Sequence, residues 1–209
     1  MIRAISNICV MTAISILLFS NCALAKEPPQ KFLNSLPLEI KASSDRPEME
    51  TFMAKGRNTY ADPKLGAGSY VSYINFSGSS IVVSLYEFGV EDIPDGISSE
   101  LIRRAKEKAI AGEKKEETQG YYSDVKVITD KEMDLSLDTG KTLKVLFVSI
   151  SENLKIKDSQ KITPEFSDFY LCGLKGYICE INASWKAAEK EEEQAVKKAV
   201  KILLSNLTQ

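Results

Sequence analysis

The residues that could do chemistry in this chain are carboxylates, tyrosines and cysteines, because its 209 residues include no histidine. Without an imidazole group, Ser-His and Cys-His nucleophile systems and the commonest zinc sites are excluded. The sequence has no Gly-x-x-x-x-Gly-Lys-Ser/Thr phosphate loop, and Gly66-Ala67-Gly68 is not a dinucleotide fingerprint. We therefore predict a non-enzymatic protein with no catalytic residue, no cofactor and no metal site.

Four carboxylates occupy even-numbered positions along a strand-like segment, at Asp130, Glu132, Asp134 and Asp138. A period of two places them on one face of a strand, where they could hold calcium or act as a glycosidase-like acid/base pair. The opposite face carries apolar residues such as Met133, which is typical of a half-buried edge strand. The segment also lacks the glycine and the terminal glutamate of an EF-hand loop. A carboxylate-based hydrolase is therefore our third hypothesis, behind two binding functions.

Five tyrosines lie in or next to predicted strands, at Tyr70, Tyr73, Tyr86, Tyr121 and Tyr122. A patch of tyrosines can stack on sugars or anchor a peptide. Strand alternation puts Tyr70 and Tyr73 on opposite faces, and aromatic residues in strands usually belong to the core. The alternative function is therefore a small-ligand or carbohydrate-binding protein that uses these tyrosines.

Two cysteines flank a short turn near the end of the chain. If Lys175-Gly176 is a two-residue hairpin turn, Cys172 lies directly opposite Cys179, within disulfide range. A redox pair would more often show a Cys-x-x-Cys spacing. In an oxidising compartment, the spacing predicts a structural disulfide.

The N-terminus predicts the compartment. Residues 1–25 read as a signal peptide, with Arg3 as the only charge, an apolar run over 8–19, and small residues at 23–25. An exported, periplasmic protein follows from this reading. The segment before Cys22 also has the outline of a lipobox, so the alternative is a lipoprotein anchored at Cys22, the one form for which we expect membrane contact.

Charge and composition limit the partners and divide the chain. A formal net charge of −2 gives no basic footprint for nucleic acid. We expect a partner in the cell envelope, either a protein or an envelope component, and the oligomeric state stays open.

Several prolines and the absence of a sustained apolar period predict an irregular N-terminal arm over 26–66, with one short strand over 36–41. Residues 67–209 are expected to form a single α+β domain.

The patterns after residue 66 predict an antiparallel sheet and two helices. One helix begins after Ser98 or Ser99 and ends either near Gly112 or within 113–117. A second helix covers about 185–206. A hairpin turn is expected at 138–140. The predicted strands are 69–77, 80–88, one or two within 121–137, 141–150, 166–171 and 177–184.

One loop motif and the order of elements carry a resemblance. Tyr86-Glu-Phe-Gly89, followed by Ile93-Pro-Asp-Gly96 and a helix, resembles a group of uncharacterised bacterial exported proteins. The meander, the Phe169-Tyr170 hairpin and the long C-terminal helix that follow are similar to the PsbP-type sandwich, over roughly residues 66–207. The resemblance implies an α+β fold, an antiparallel sheet packed between helices on both faces. By analogy it implies a binding or accessory role, with no family site residues to carry over.

Overall fold

A computed structural model describes residues 28–42, 50–62, 66–89, 92–155, 162–187 and 190–209. These residues form one eight-stranded sheet in which every neighbouring pair is antiparallel, in the order β1-β2-β3-β4-β8-β7-β6-β5. The predicted signal peptide and Cys22 lie outside the described residues. The strands are β1 (Glu39–Lys41), β2 (Thr51–Asp62), β3 (Gly66–Ile74), β4 (Ser80–Tyr86), β5 (Tyr122–Ser136), β6 (Thr142–Lys155), β7 (Ile162–Leu174) and β8 (Tyr177–Lys186).

The described residues also form three helices, α1 (Pro29–Asn34), α2 (Glu100–Thr118) and α3 (Lys190–Leu207). The helix α2 packs on β5, β6, β7 and β8, whereas α3 packs on β8, β1 and β4. The helices α2 and α3 bury apolar stripes in separate core clusters, and the two clusters lie on opposite faces of the sheet. Within the described ranges, no helix combines the length and the apolar character needed to cross a membrane.

The alternation of β6 shows how one strand serves both clusters. Val145 and Phe147 face the cluster under α3, while Leu146, Val148 and Ile150 face the cluster under α2. All five side chains are buried, which explains the nearly continuous apolar run in the sequence. The centre of the sheet is therefore covered on both faces, and alternate side chains of β6 face opposite core clusters.

The predicted fold class, an α+β sheet packed between helices on the PsbP pattern, is wrong. Although α2 and α3 pack on opposite faces, the described residues are mainly β: 51% of them lie in the strands of one eight-stranded sheet and 27% lie in helices. The strand β5 fills the range predicted for one or two strands, whereas β6 continues to Lys155, five residues beyond its predicted end. The length of β6 was underestimated because polar residues after Ile150 end the apolar pattern, while its backbone pairing with β5 and β7 continues.

The prediction of an irregular N-terminal arm is also wrong, because this segment contributes α1, β1 and β2 to the fold. The strand β2 pairs with β3 along its length, apart from one bulge near Gly56. It was missed because most of its side chains are polar, and Phe52 is its large fully buried residue. Arg57 adds a contact that local patterns cannot indicate, since its guanidinium donates to the backbone carbonyls of Asn34 and Leu36 at 3.0 and 2.6 Å.

Several local predictions are confirmed. Ser99 caps α2, with its hydroxyl oxygen accepting the Leu101 N–H at 3.2 Å. The β7–β8 hairpin turns at Lys175-Gly176, and both residues have positive φ, as a type I′ turn requires. The second helix begins later than predicted, however. Trp185 is not its first residue but lies near the end of β8, where it pairs with Phe166.

Candidate functional site

The helix α2 leaves a gap above the sheet because the side chains that face the sheet become smaller along the helix. Ile102 and Ala105 are fully buried against the sheet. Ala109 follows one turn later and is only partly buried, and Gly112 comes next, where an added Cβ would meet no atom within 4 Å. A groove of about 460 Å³ opens at this end of the helix. We call it the α2 groove, and its lining residues are described below.

Two rows of side chains on neighbouring strands form the floor of the α2 groove. The first row crosses β3, β4 and β8, and the second crosses β4, β8 and β7. The rows are Tyr70–Ser84–Glu180 and Val82–Asn182–Phe169. Each row ends in an aromatic ring, so the floor alternates apolar surface with hydroxyl, carboxylate and amide groups. This mixture suits a ligand that has both polar groups and an apolar face.

Glu180 is the carboxylate of the floor, and two neighbours hold it. The Tyr86 hydroxyl donates a hydrogen bond of 2.5 Å to Glu180 Oε2. Burial raises the pKa of Glu180, whereas the Tyr86 hydrogen bond and the charge of Lys108 act in the opposite direction. Lys108 extends from α2, where it also lies 5.9 Å from the centre of the Phe88 ring. The carboxylate therefore has a fixed position with one oxygen bound to a phenol.

Asn182 supplies an acceptor that the described residues leave unsatisfied. Its Oδ1 atom is buried and finds no hydrogen-bond partner among them. Its cross-strand neighbours on this face are Val82 and Phe169, neither of which has a polar side chain. A buried acceptor without a donor costs roughly 1–3 kcal/mol. A ligand hydroxyl or amine that reaches the floor of the α2 groove would remove this cost.

The wall formed by α2 carries acidic residues, of which Glu113 is the most perturbed. Burial, with the nearby charges of Glu152 and Glu116, raises the pKa of Glu113 from 4.5 to about 8. Glu152 lies on β6 and is only 3% exposed, and Ser167 donates to its Oε1 at 2.8 Å. At neutral pH, Glu113 is therefore largely protonated, and its carboxyl group shares a hydrogen bond with Glu152.

The α2 groove offers several groups that can contact a ligand. They are aromatic faces, a buried amide acceptor, a carboxylate held by a phenol and the Lys108 ammonium group. Ser84 is the hydroxyl on the floor, opposite Glu180, and the chain has no histidine to activate it. Aromatic faces with several directed donors and acceptors are what a hydroxyl-rich molecule needs.

The structure brings together two of the five predicted tyrosines, Tyr70 and Tyr86. Tyr73 is 1% exposed on the opposite face of the sheet, where its hydroxyl donates to the Pro37 carbonyl at 2.8 Å. Burial raises the pKa of Tyr73 to about 12. Tyr121 is 59% exposed just before β5. Tyr122 is half-buried, and burial followed by the charge of Glu152 raises its pKa. The predicted set therefore does not form one patch.

The predicted carboxylate row lies at the surface, where two of its four members form ion pairs. Asp130 binds Lys106 of α2 at 2.9 Å, and Asp134 binds Lys144 of β6 at 3.0 Å. Glu132 and Asp138 are exposed. Across the ranges that the structure describes, no three carboxylate or cysteine side chains are grouped so that they could hold a metal ion. These residues thus carry no support for the hydrolase hypothesis.

The predicted disulfide residues occupy the expected register. Cys172 and Cys179 lie directly opposite each other on β7 and β8, and both are buried. A hydrogen bond with Cys172, together with burial, raises the pKa of Cys179. A covalent bond between the two sulfur atoms stays a prediction.

Sequence reasoning missed the residues that make the α2 groove, namely Ala109, Gly112, Glu113, Glu180 and Asn182. Two signals were present. The side chains on the buried face of α2 become smaller from an isoleucine to a glycine, and polar residues occupy alternate positions of β8 from Glu180 onward. No family model matches the chain, and no curated protein matches it with significant similarity. The resemblance to exported PsbP-type proteins stays a prediction, and we assign the chain to no family.

Proposed function

We infer that the protein is an exported, non-enzymatic binding module of the cell envelope, and that the α2 groove holds a small hydroxyl-rich ligand, such as a saccharide unit. The N-terminal pattern over 1–25 supports export. The observation that carries the ligand class is the buried Oδ1 of Asn182, which lies between apolar neighbours on the floor of a groove with aromatic ends.

Each part of the groove has a role in this proposal. Tyr70 and Phe169 supply apolar faces for a sugar ring, and Asn182 Oδ1 accepts from a hydroxyl. Glu180, fixed by Tyr86, accepts from a second hydroxyl. Several directed hydrogen bonds select among stereoisomers, because a misplaced hydroxyl leaves a buried group unpaired.

A thermal-shift screen with neutral hexoses, N-acetylhexosamines and their disaccharides tests the proposal. A ligand at a hundred times its dissociation constant stabilises the folded state by about 2.7 kcal/mol, or roughly 5–10 °C for a chain of this size. Gly112→Leu fills the groove from α2 and should abolish the shift. Ala111→Leu, the matched control, changes an exposed helical residue next to it and should keep the shift. No shift with any sugar, or equal shifts in both variants, would overturn the proposal.

A protein partner is the second candidate function, and one surface favours it. Met53, Ile74 and Phe76 line a shallow depression of about 790 Å³ near the β1–β3 edge. Phe76 is 87% exposed and Met53 is 43% exposed, and large apolar side chains that are exposed together often mark an interaction site. Phe76→Ser should leave the fold intact and abolish cross-linking to a partner in the native host. Cross-linking at the wild-type level in this variant would exclude the surface.

A further inference from the structure

A second cavity lies on the opposite face of the sheet from the α2 groove. It occupies about 350 Å³ between the first half of α3 and the strands β5 to β8. We call it the Trp185 pocket. The lining residues that matter are Phe147, Phe166, Asp168, Trp185, Glu193 and Lys197. Its volume is within the range of small-molecule sites.

Asp168 is the polar residue at the bottom of this pocket, and it is only 1% exposed. The Tyr170 hydroxyl lies 3.3 Å from Oδ2, whereas Oδ1 is buried and has no hydrogen-bond partner within the part of the chain that the structure describes. Its cross-strand neighbours are Ser149 and Ala183. Burial raises the pKa of Asp168, and the polar contact with Ser149 and the charge of Lys197 oppose this.

A buried carboxyl group with a free oxygen costs stability unless something pairs with it. Lys197 is the nearest cation of α3, but its ammonium group forms an ion pair with Glu193 one helical turn away. Asp168 lines the cavity, and its Oδ1 has no hydrogen-bond partner among the described residues. The ligand that compensates this oxygen best carries both a positive charge and an N–H donor.

The walls of the pocket suit the same kind of ligand. The rings of Phe166 and Trp185 lie 5.7 Å apart between centroids, and Phe147 packs against Tyr170 at 5.1 Å. Aromatic faces attract cations that lie within about 6 Å of the ring centre. Lys131 at the exposed side of the pocket could meet a carboxylate on the same molecule.

We propose that the Trp185 pocket binds a primary ammonium group, held by Asp168 Oδ1 and the faces of Phe166 and Trp185. The group can belong to a simple alkylamine or to an amino-acid-sized zwitterion, whose carboxylate would reach Lys131. This site is separate from the α2 groove and does not depend on the function proposed for that groove.

Trp185 is the single tryptophan of the chain, so its fluorescence reports on the pocket directly. We would titrate the full-length protein with n-butylammonium, leucine, tetramethylammonium and 1-butanol. Butylammonium or leucine should change the emission saturably and bind at least about tenfold tighter than the other two probes. The absence of a saturable change, or equal binding of butanol or tetramethylammonium, would overturn the proposal.

Asp168→Asn keeps the shape of the side chain and removes the buried charge, so this variant should fold. It should weaken binding of the ammonium probe by at least about 30-fold. The matched control is Asp134→Asn, which removes an exposed aspartate on β5 that pairs with Lys144 outside the pocket. Wild-type affinity in Asp168→Asn, or an equal loss in both variants, would contradict the assignment. Circular dichroism of both variants verifies that the fold is retained.

Discussion

Glu113→Gln should make the protein more stable at alkaline pH and leave its stability at acidic pH unchanged. Burial beside Glu152 and Glu116 raises the pKa of Glu113 from 4.5 to about 8. Between these values the folded state retains a proton that the unfolded chain has released. Stability therefore falls as pH rises through this window, because keeping that proton costs more free energy as the proton concentration falls. Above the window, the folded protein must carry a buried charge. Glutamine imitates the protonated side chain and never acquires that charge.

The size of the effect follows from the two pKa values. A rise from 4.5 to about 8 corresponds to about 5 kcal/mol once the carboxyl is fully ionised. This figure is a ceiling, since Glu152 titrates together with Glu113 and part of the cost passes to it. We expect Glu113→Gln to exceed the wild type by about 2 kcal/mol at pH 9.

Urea unfolding at pH 5, 7 and 9 measures this difference. At pH 5 the two proteins should differ by no more than about 1 kcal/mol, and the gap should widen steadily with pH. The matched control is Glu107→Gln, which removes an exposed glutamate on the same helix. The reasoning is refuted if Glu113→Gln gains nothing at pH 9, or if the control gains as much.

Three further predictions concern single positions. A Cβ on Gly173 would lie 1.9 Å from the Pro94 carbonyl oxygen, so Gly173→Ala should lower the free energy of unfolding by more than about 3 kcal/mol. A free energy of unfolding in urea within about 1 kcal/mol of the wild-type value would contradict the close approach. In exported protein, alkylation followed by intact-mass measurement should label neither Cys172 nor Cys179, and two labelled thiols would refute the disulfide. Ser99→Ala removes the cap of α2 and should cost about 1 kcal/mol, so an unchanged melting temperature would argue against the cap.

Signals that depend on a few adjacent residues were sufficient to predict several elements of the fold. The Ser99 cap and the turn at Lys175-Gly176 follow from side-chain and backbone preferences that act within four residues. The strand β2 could not be found in this way. Its polar residues pair with β3, and Arg57 is held by carbonyl groups more than twenty residues away in sequence. The fold class failed for the same reason, since strand length depends on partners.

The candidate site was only partly within reach of the sequence. Parity correctly separated Tyr70 from Tyr73, because alternation is a property of each strand alone. The α2 groove depends on the gap between Gly112 of α2 and the strands β4 and β8, and no local pattern specifies how the helix lies over those strands. Asp168 gave no signal either, since a single aspartate in an apolar strand is compatible with an exposed position as well as a buried one.

The most direct test of the central claim is a titration of ¹⁵N-labelled protein with the saccharide that raises the melting temperature most, followed by ¹H–¹⁵N correlation spectra. We predict that the shifted amides lie around the α2 groove, in 109–116 of α2, 82–86 of β4 and 180–182 of β8. The amides next to Phe76 and in the Trp185 pocket should stay unchanged. Shifts centred on Phe76, or shifts spread evenly over the sheet, would contradict the assignment of the α2 groove as the ligand site.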